Sequence, residues 1–121
     1  MTQTGNNFLV DVLNILPEGI ECFIQAPSLD NIIIEKMLQD SNYDYYKFLK
    51  LDKTNKDKFI EQELETFFGM YIQKIEIKEK GVLIFEGFDG VDYGTISKNI
   101  FIPEWFKEKY IPDTCTISNE W

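Results

Sequence analysis

The hydrophobic period of this sequence changes at Gly69, and that change limits the fold more than any single motif. Before it, Asp57 to Phe68 carries Phe59, Ile60, Leu64, Phe67 and Phe68 on one side and Lys58, Glu61, Gln62 and Glu65 on the other, the spacing of an amphipathic helix. Asn55 is placed to cap that helix and Gly69 to end it. After it, Ile75 and Ile77 alternate with Lys74, Glu76 and Lys78. Lys80-Gly81 then turns the chain into Val82-Leu83-Ile84-Phe85, apolar on both faces as a central strand is.

The flanking segments read in the same way. Phe8, Leu9, Val12, Leu13 and Leu16 predict a first helix, with Asn6 or Asn7 as its cap and Pro17-Glu18-Gly19 as its stop. Ile20, Cys22 and Ile24 alternate with Glu21 and Gln25 as in a half-buried strand, although Phe23 interrupts the polar side. Ser28 is the expected cap of a second helix with Leu29, Ile32, Ile33 and Met37 as its stripe, ending near Gln39 to Asn42. Tyr43 to Leu51 is aromatic-rich and predicts a strand; Asp89-Gly90 supplies a turn, and Tyr93 to Pro103 holds one or two more strands with Ile96, Ile100 and Ile102 on one side. Pro103 opens a short helix from Glu104 to Tyr110, and Cys115 with Ile117 suggests an edge strand. With no internal repeat or linker, residues 1–121 read as a single domain of the α+β class, helices packed on one face of a largely antiparallel sheet.

Composition excludes whole chemistries. The chain has no His, and all 12 of its basic residues are Lys, so neither a Ser-His-Asp or Cys-His nucleophile nor a bidentate guanidinium fork can be built from it. With 21 acidic residues the formal charge is −9, which repels nucleic acid and anionic membrane surfaces and attracts basic proteins. Met1 to Asn7 shows no basic region followed by an apolar stretch, and no apolar run has the length of a bilayer span, so a cytoplasmic protein is expected. Cys22 and Cys115 lie outside any metal-ligand spacing and read as buried, reduced thiols.

Three candidate sites come from spacing. The run Asp52 to Glu63 imitates a calcium-binding loop, but its fifth position is Lys56 and its sixth Asp57, where the ion needs a carboxylate and the turn a glycine; a charged turn into a helix is the better reading. Glu61 and Glu65 share a helical face and read as solvated. The stretch Gly87 to Gly94 has no Lys or Ser/Thr of a phosphate-binding loop and reads as an exposed acidic loop with an aromatic anchor, Asp89, Asp92 and Tyr93. Glu86, Glu104 and Trp105 are expected at the same end of the sheet. Aromatics supply rigid contact area and carboxylates steer association, so these six residues form a candidate partner-binding patch, with Trp105 alternatively a core residue. Tyr43, Tyr45 and Tyr46 are expected to pack in the sheet.

Small size, strong acidity and the run from Phe85 to Ile96 through Ile102 to Phe106 resemble the small bacterial immunity proteins that neutralise polymorphic or contact-dependent-inhibition toxins. That resemblance is one of profile. It implies a non-enzymatic binder, without cofactor or metal, that occludes the active site or an adjacent surface of a basic toxin domain such as a nuclease. A general protein-interaction or adaptor domain, and a carboxylate-based enzyme or small-molecule binder, are the alternatives; a deep pocket holding a carboxylate of raised pKa would favour the last.

Overall fold

Strand alternation in this chain sorts one layer of side chains toward the helices and leaves the other layer uncovered. The computed structural model describes residues 7–121. Four α-helices, α1 (Phe8–Ile15), α2 (Ile32–Met37), α3 (Lys56–Thr66) and α4 (Glu104–Tyr110), accompany seven strands: β1 (Ile20–Gln25), β2 (Gln39–Asp40), β3 (Lys47–Leu51), β4 (Lys74–Glu79), β5 (Val82–Phe88), β6 (Tyr93–Ile96) and β7 (Cys115–Ile117). They form one sheet in the order β2-β3-β1-β4-β5-β6-β7, antiparallel except for the parallel β6–β7 pair. This is the α+β class expected from the sequence. None of the helices is long and apolar enough to cross a membrane among the described residues.

The covered face is built by register. Cys22 of β1 stands opposite Leu49 and Ile77, Ile24 opposite Ile75, and Phe85 opposite Ile77 and Ile96, and all of these are buried. From the helix layer Phe8 meets Phe85 edge-on at 5.9 Å, and Phe106 and Tyr110 of α4 pack at 4.9 Å against each other. Gly94 is a glycine for want of space: a Cβ there would lie 2.8 Å from the Phe85 ring and closer still to the Glu86 carbonyl. Asn7 caps α1, its Oδ1 accepting from the Val10 N–H at 3.0 Å; Asn6, the alternative cap, lies outside the described residues. Phe23, the apolar residue on the polar side of β1, points to the uncovered face, where Phe48 lies 5.4 Å away.

Several boundaries differ from expectation. The cap of α2 is Asn31, not Ser28: its Oδ1 accepts from the Ile34 N–H, while its Nδ2 donates to Gln62 and Thr66 of α3, each at 3.2 Å. That tie fixes the rotation of α2, so Ile34 is buried and Ile32 and Ile33 face solvent. The strand expected over Tyr43 to Leu51 begins only at Lys47, because Ser41 and the Tyr43 carbonyl close a turn that leaves Tyr45 exposed. Only Tyr93–Ile96 of the stretch to Pro103 is strand.

The largest correction concerns α3. Phe59 is fully buried, and its neighbours on the same face, Gln62 and Glu63, are buried with it. Leu64 and Phe67, expected in the core, are 48% and 58% exposed. The helix ends at Phe67 rather than Gly69: Phe67 adopts a left-handed conformation (φ 53°), which turns its ring outward and sends Phe68 inward against Phe59 at 5.0 Å. Phe59→Ala is therefore expected to cost about 3–5 kcal/mol in urea unfolding. Phe67→Ala is expected to cost about 0.5 kcal/mol or less; similar losses for the two would contradict this assignment of inside and outside.

Candidate functional site

The acidic loop between β5 and β6 is held rigidly although its side chains face water. The Asp89 N–H donates to the Gln73 carbonyl at 3.0 Å and the Gly90 N–H to the Ile72 carbonyl at 2.7 Å, so the loop is clamped to the chain that precedes β4. Asp89, Gly90 and Val91 are all left-handed (φ 53°, 77° and 52°), and a Cβ at Gly90 would sit 3.0 Å from the Met70 carbonyl oxygen. Val91 is the buried anchor of this loop, and Asp89, Asp92 and Tyr93 are exposed around it. Tyr93 stacks on Phe88 at 5.5 Å and donates its hydroxyl to Asp89 at 3.2 Å. The charge of Asp89 pushes the Tyr93 hydroxyl above its ordinary pKa, so it stays a donor.

Glu86 belongs to the uncovered sheet face but is not a free charge. It stands directly opposite Glu76 across β4 and β5, and Lys74 bridges the two carboxylates at 3.6 and 3.1 Å while lying 5.6 Å from the centre of the Phe88 ring. Tyr43 donates to the same Glu76 at 3.3 Å and stacks on Tyr46 at 4.2 Å, so these two tyrosines lie over the sheet. Burial pulls the Lys74 ammonium down, but the hydrogen bond it donates to Glu76 and the surrounding negative charge outweigh it and hold the pKa above its usual value.

Glu104 and Trp105 are elsewhere. After α4 the chain returns to β6, where Thr114 accepts from the Gly94 N–H at 3.0 Å, so the C-terminal end of α4 lies at the Tyr93 end of the sheet. Its N-terminal end, with Glu104 and a half-exposed Trp105, lies instead beside Asn14, Ile15 and Phe101. Asp89, Asp92 and Tyr93 thus share one corner, Glu86 lies within the sheet face next to it, and Glu104 and Trp105 form a separate surface, not the same end of the sheet.

A groove of about 800 Å³ adjoins the acidic corner on the helix side, and sequence reasoning missed it. Leu64, Phe67 and Met70 line it from α3 and the 3-10 turn that follows (Phe68–Tyr71), Asp92 and Val91 from the loop, and Lys109 and Tyr110 from α4. Glu63 lies at its base, 5% exposed, with Oε1 accepting from the Gly69 N–H at 2.7 Å and Oε2 from the Asn7 Nδ2 at 2.8 Å. The signal was present in the spacing. Gln62 and Glu63 fall three and four residues after Phe59, on the face that is buried, whereas the outward turn of Phe67, eight residues after Phe59 on the same stripe, follows from its left-handed backbone.

Other candidates take structural roles. Asp52 accepts from the N–H groups of Thr54 and Asn55 and from the Thr54 hydroxyl, which lowers its pKa, and its supposed twelfth-position partner Glu63 faces Gly69 and Asn7. Among the described residues no group of three or more Cys, Asp or Glu side chains is placed to hold a metal ion. Cys22 and Cys115 are free and buried, and burial pushes each thiol up to about 12. No protein-family model, curated protein or solved structure matches the chain.

Burial pushes the Glu63 carboxyl above its ordinary value of 4.5, outweighing the two hydrogen bonds that pull it down. A carboxyl raised in the folded state contributes stability that is fully present below its unfolded pKa and lost as pH rises through the folded one. The wild-type chain is therefore expected to lose stability relative to Glu63→Gln as pH rises from about 4 toward neutrality. Paired urea titrations across that range measure this, and a difference independent of pH would contradict it.

Proposed function

We propose that this chain is a cytoplasmic, non-enzymatic acidic binding protein that neutralises a basic toxin domain by covering its active site or an adjacent surface. The observation that carries the reading is the corner at Asp89, Asp92 and Tyr93: two exposed carboxylates and an exposed aromatic ring on a loop clamped to the sheet, in a molecule of charge −9. Such a field accelerates encounter with a cationic surface, by about ten- to a thousandfold at low salt. A preorganised aromatic then loses little freedom on docking and slows release. The resemblance to small acidic immunity proteins supplies the kind of partner. The groove does hold the carboxyl of raised pKa that the enzyme or small-molecule alternative calls for, Glu63, but its two oxygens accept from Gly69 and Asn7, a structural role that counts against proton-transfer chemistry.

The test is protection. Cells expressing the chain are challenged with the C-terminal domain encoded by the upstream neighbouring reading frame. Survival is expected with the wild type, and the double variant Asp89→Lys/Asp92→Lys is expected to bind that domain about tenfold or more weakly with an unchanged melting temperature. Equal death with and without a folded, expressed chain would contradict the proposal, and unchanged affinity of the double variant would remove the corner from the interface.

A further inference from the structure

The groove beside the acidic corner has the features of a socket. Phe67 occupies a left-handed position that glycine would take without strain, and its ring is 58% exposed; Met70 is 65% and Leu64 48% exposed around the same opening. Across the groove stand Val91, which is also left-handed, and Asp92, with left-handed Asp89 on the same loop beside them. Backbone strain of this kind persists only where surrounding structure enforces it, and here the clamp of the loop to Ile72 and Gln73 and the Glu63–Gly69 bond do so.

The electrostatics of the rim select the occupant. Lys109 is paired with Asp11 at 2.8 Å, so its charge is compensated, whereas Asp92 has no ion pair among the described residues. The uncompensated charge at the opening is negative, and a second copy of this chain would bring its own −9 to it. Met1 is the only apolar side chain among residues 1–6, a poor complement to an opening formed by Leu64, Phe67 and Met70.

We propose that this groove receives an apolar side chain of a basic protein partner, flanked by Lys or Arg that pair with Asp92 and Asp89. The inference rests on the binding reading above and names the surface and the chemistry that recognise the partner. Phe67 and Met70 grip the apolar side chain, Met70 through a flexible thioether that adapts to its shape. The carboxylates set the polarity of the rim.

The test uses the toxin domain of the protection experiment as the probe. Its affinity is measured calorimetrically for the wild type, Phe67→Ser, Met70→Ser and, as a control on α2, Ile32→Ser, each with its thermal midpoint; Phe67→Leu replaces Phe67→Ser if the latter does not fold. Phe67→Ser and Met70→Ser are expected to weaken binding by about tenfold or more, with midpoints near the wild type, while Ile32→Ser binds as the wild type does. Unchanged affinity of both groove variants toward a toxin domain that the wild type neutralises overturns the inference and leaves the function standing. An equal loss with Ile32→Ser overturns it too, since any exposed apolar side chain would then serve. A wild-type dimer dissociated by Phe67→Ser assigns the groove to a second copy, and tighter binding by a chain lacking residues 2–6 assigns it to the chain's own N-terminus; either overturns it. Absence of any binding or protection by the wild type overturns the function and the inference together.

Discussion

One buried carboxylate organises the side of the molecule on which exposed Leu64, Phe67 and Met70 line a groove. Glu63 ties its own helix to the turn at Gly69 that follows it and to the cap of the first helix at Asn7, 56 residues away. Leaving a carboxylate in the interior is costly unless its oxygens are satisfied, and here each oxygen has its donor. The approach is close enough that a Cβ at Gly69 would sit 2.9 Å from the Glu63 oxygen and displace that carboxylate. With Gly69 drawn to Glu63 and Phe68 packed on Phe59, the chain reverses at Phe67, and the ring of Phe67 is turned into the groove.

The sheet contributes the second constraint. Its helices cover the face of Cys22, Ile24, Ile75, Ile77 and Phe85, and on the other face the polar and aromatic residues must satisfy one another. They do so through Lys74 between Glu76 and Glu86 and through paired rings, Phe23 with Phe48 and Phe88 with Tyr93. The loop of Asp89 to Asp92 is the boundary where this uncovered face and the helix-side groove meet: Tyr93 belongs to the first and Asp92 to the second. That corner therefore presents charge, aromatic surface and an apolar recess side by side.

Most of the fold was legible in the sequence because its signals are local. Asn7 and Pro17 mark the ends of the first helix, and the alternation at Ile20 to Ile24 and Lys74 to Lys78 marks strands whose register puts those isoleucines inside. The misreadings at α2 and α3 share a cause, which is that contacts between distant segments decided the outcome. Asn31, bonded to Gln62 and Thr66, took the cap from Ser28 and turned Ile32 outward; Glu63, bonded to Asn7 across 56 residues, turned a polar residue inward and Phe67 outward. The acidic loop was legible as a site because its turn chemistry and charge lie in one run of sequence. The separation of Glu104 and Trp105 from it was not, since it depends on the direction in which α4 runs back along β6.

The central proposal is that recognition occurs at the corner shared by the acidic loop and the groove, and backbone hydrogen exchange of the chain with and without the proposed toxin domain tests it most directly. The account predicts slowed exchange at residues 67–72 and 88–94 on binding, with α2 and the N-terminal end of α4 unaffected. Slowing confined to α2 and the Tyr43–Tyr46 turn, or to the surface around Trp105 and Phe101, would contradict it.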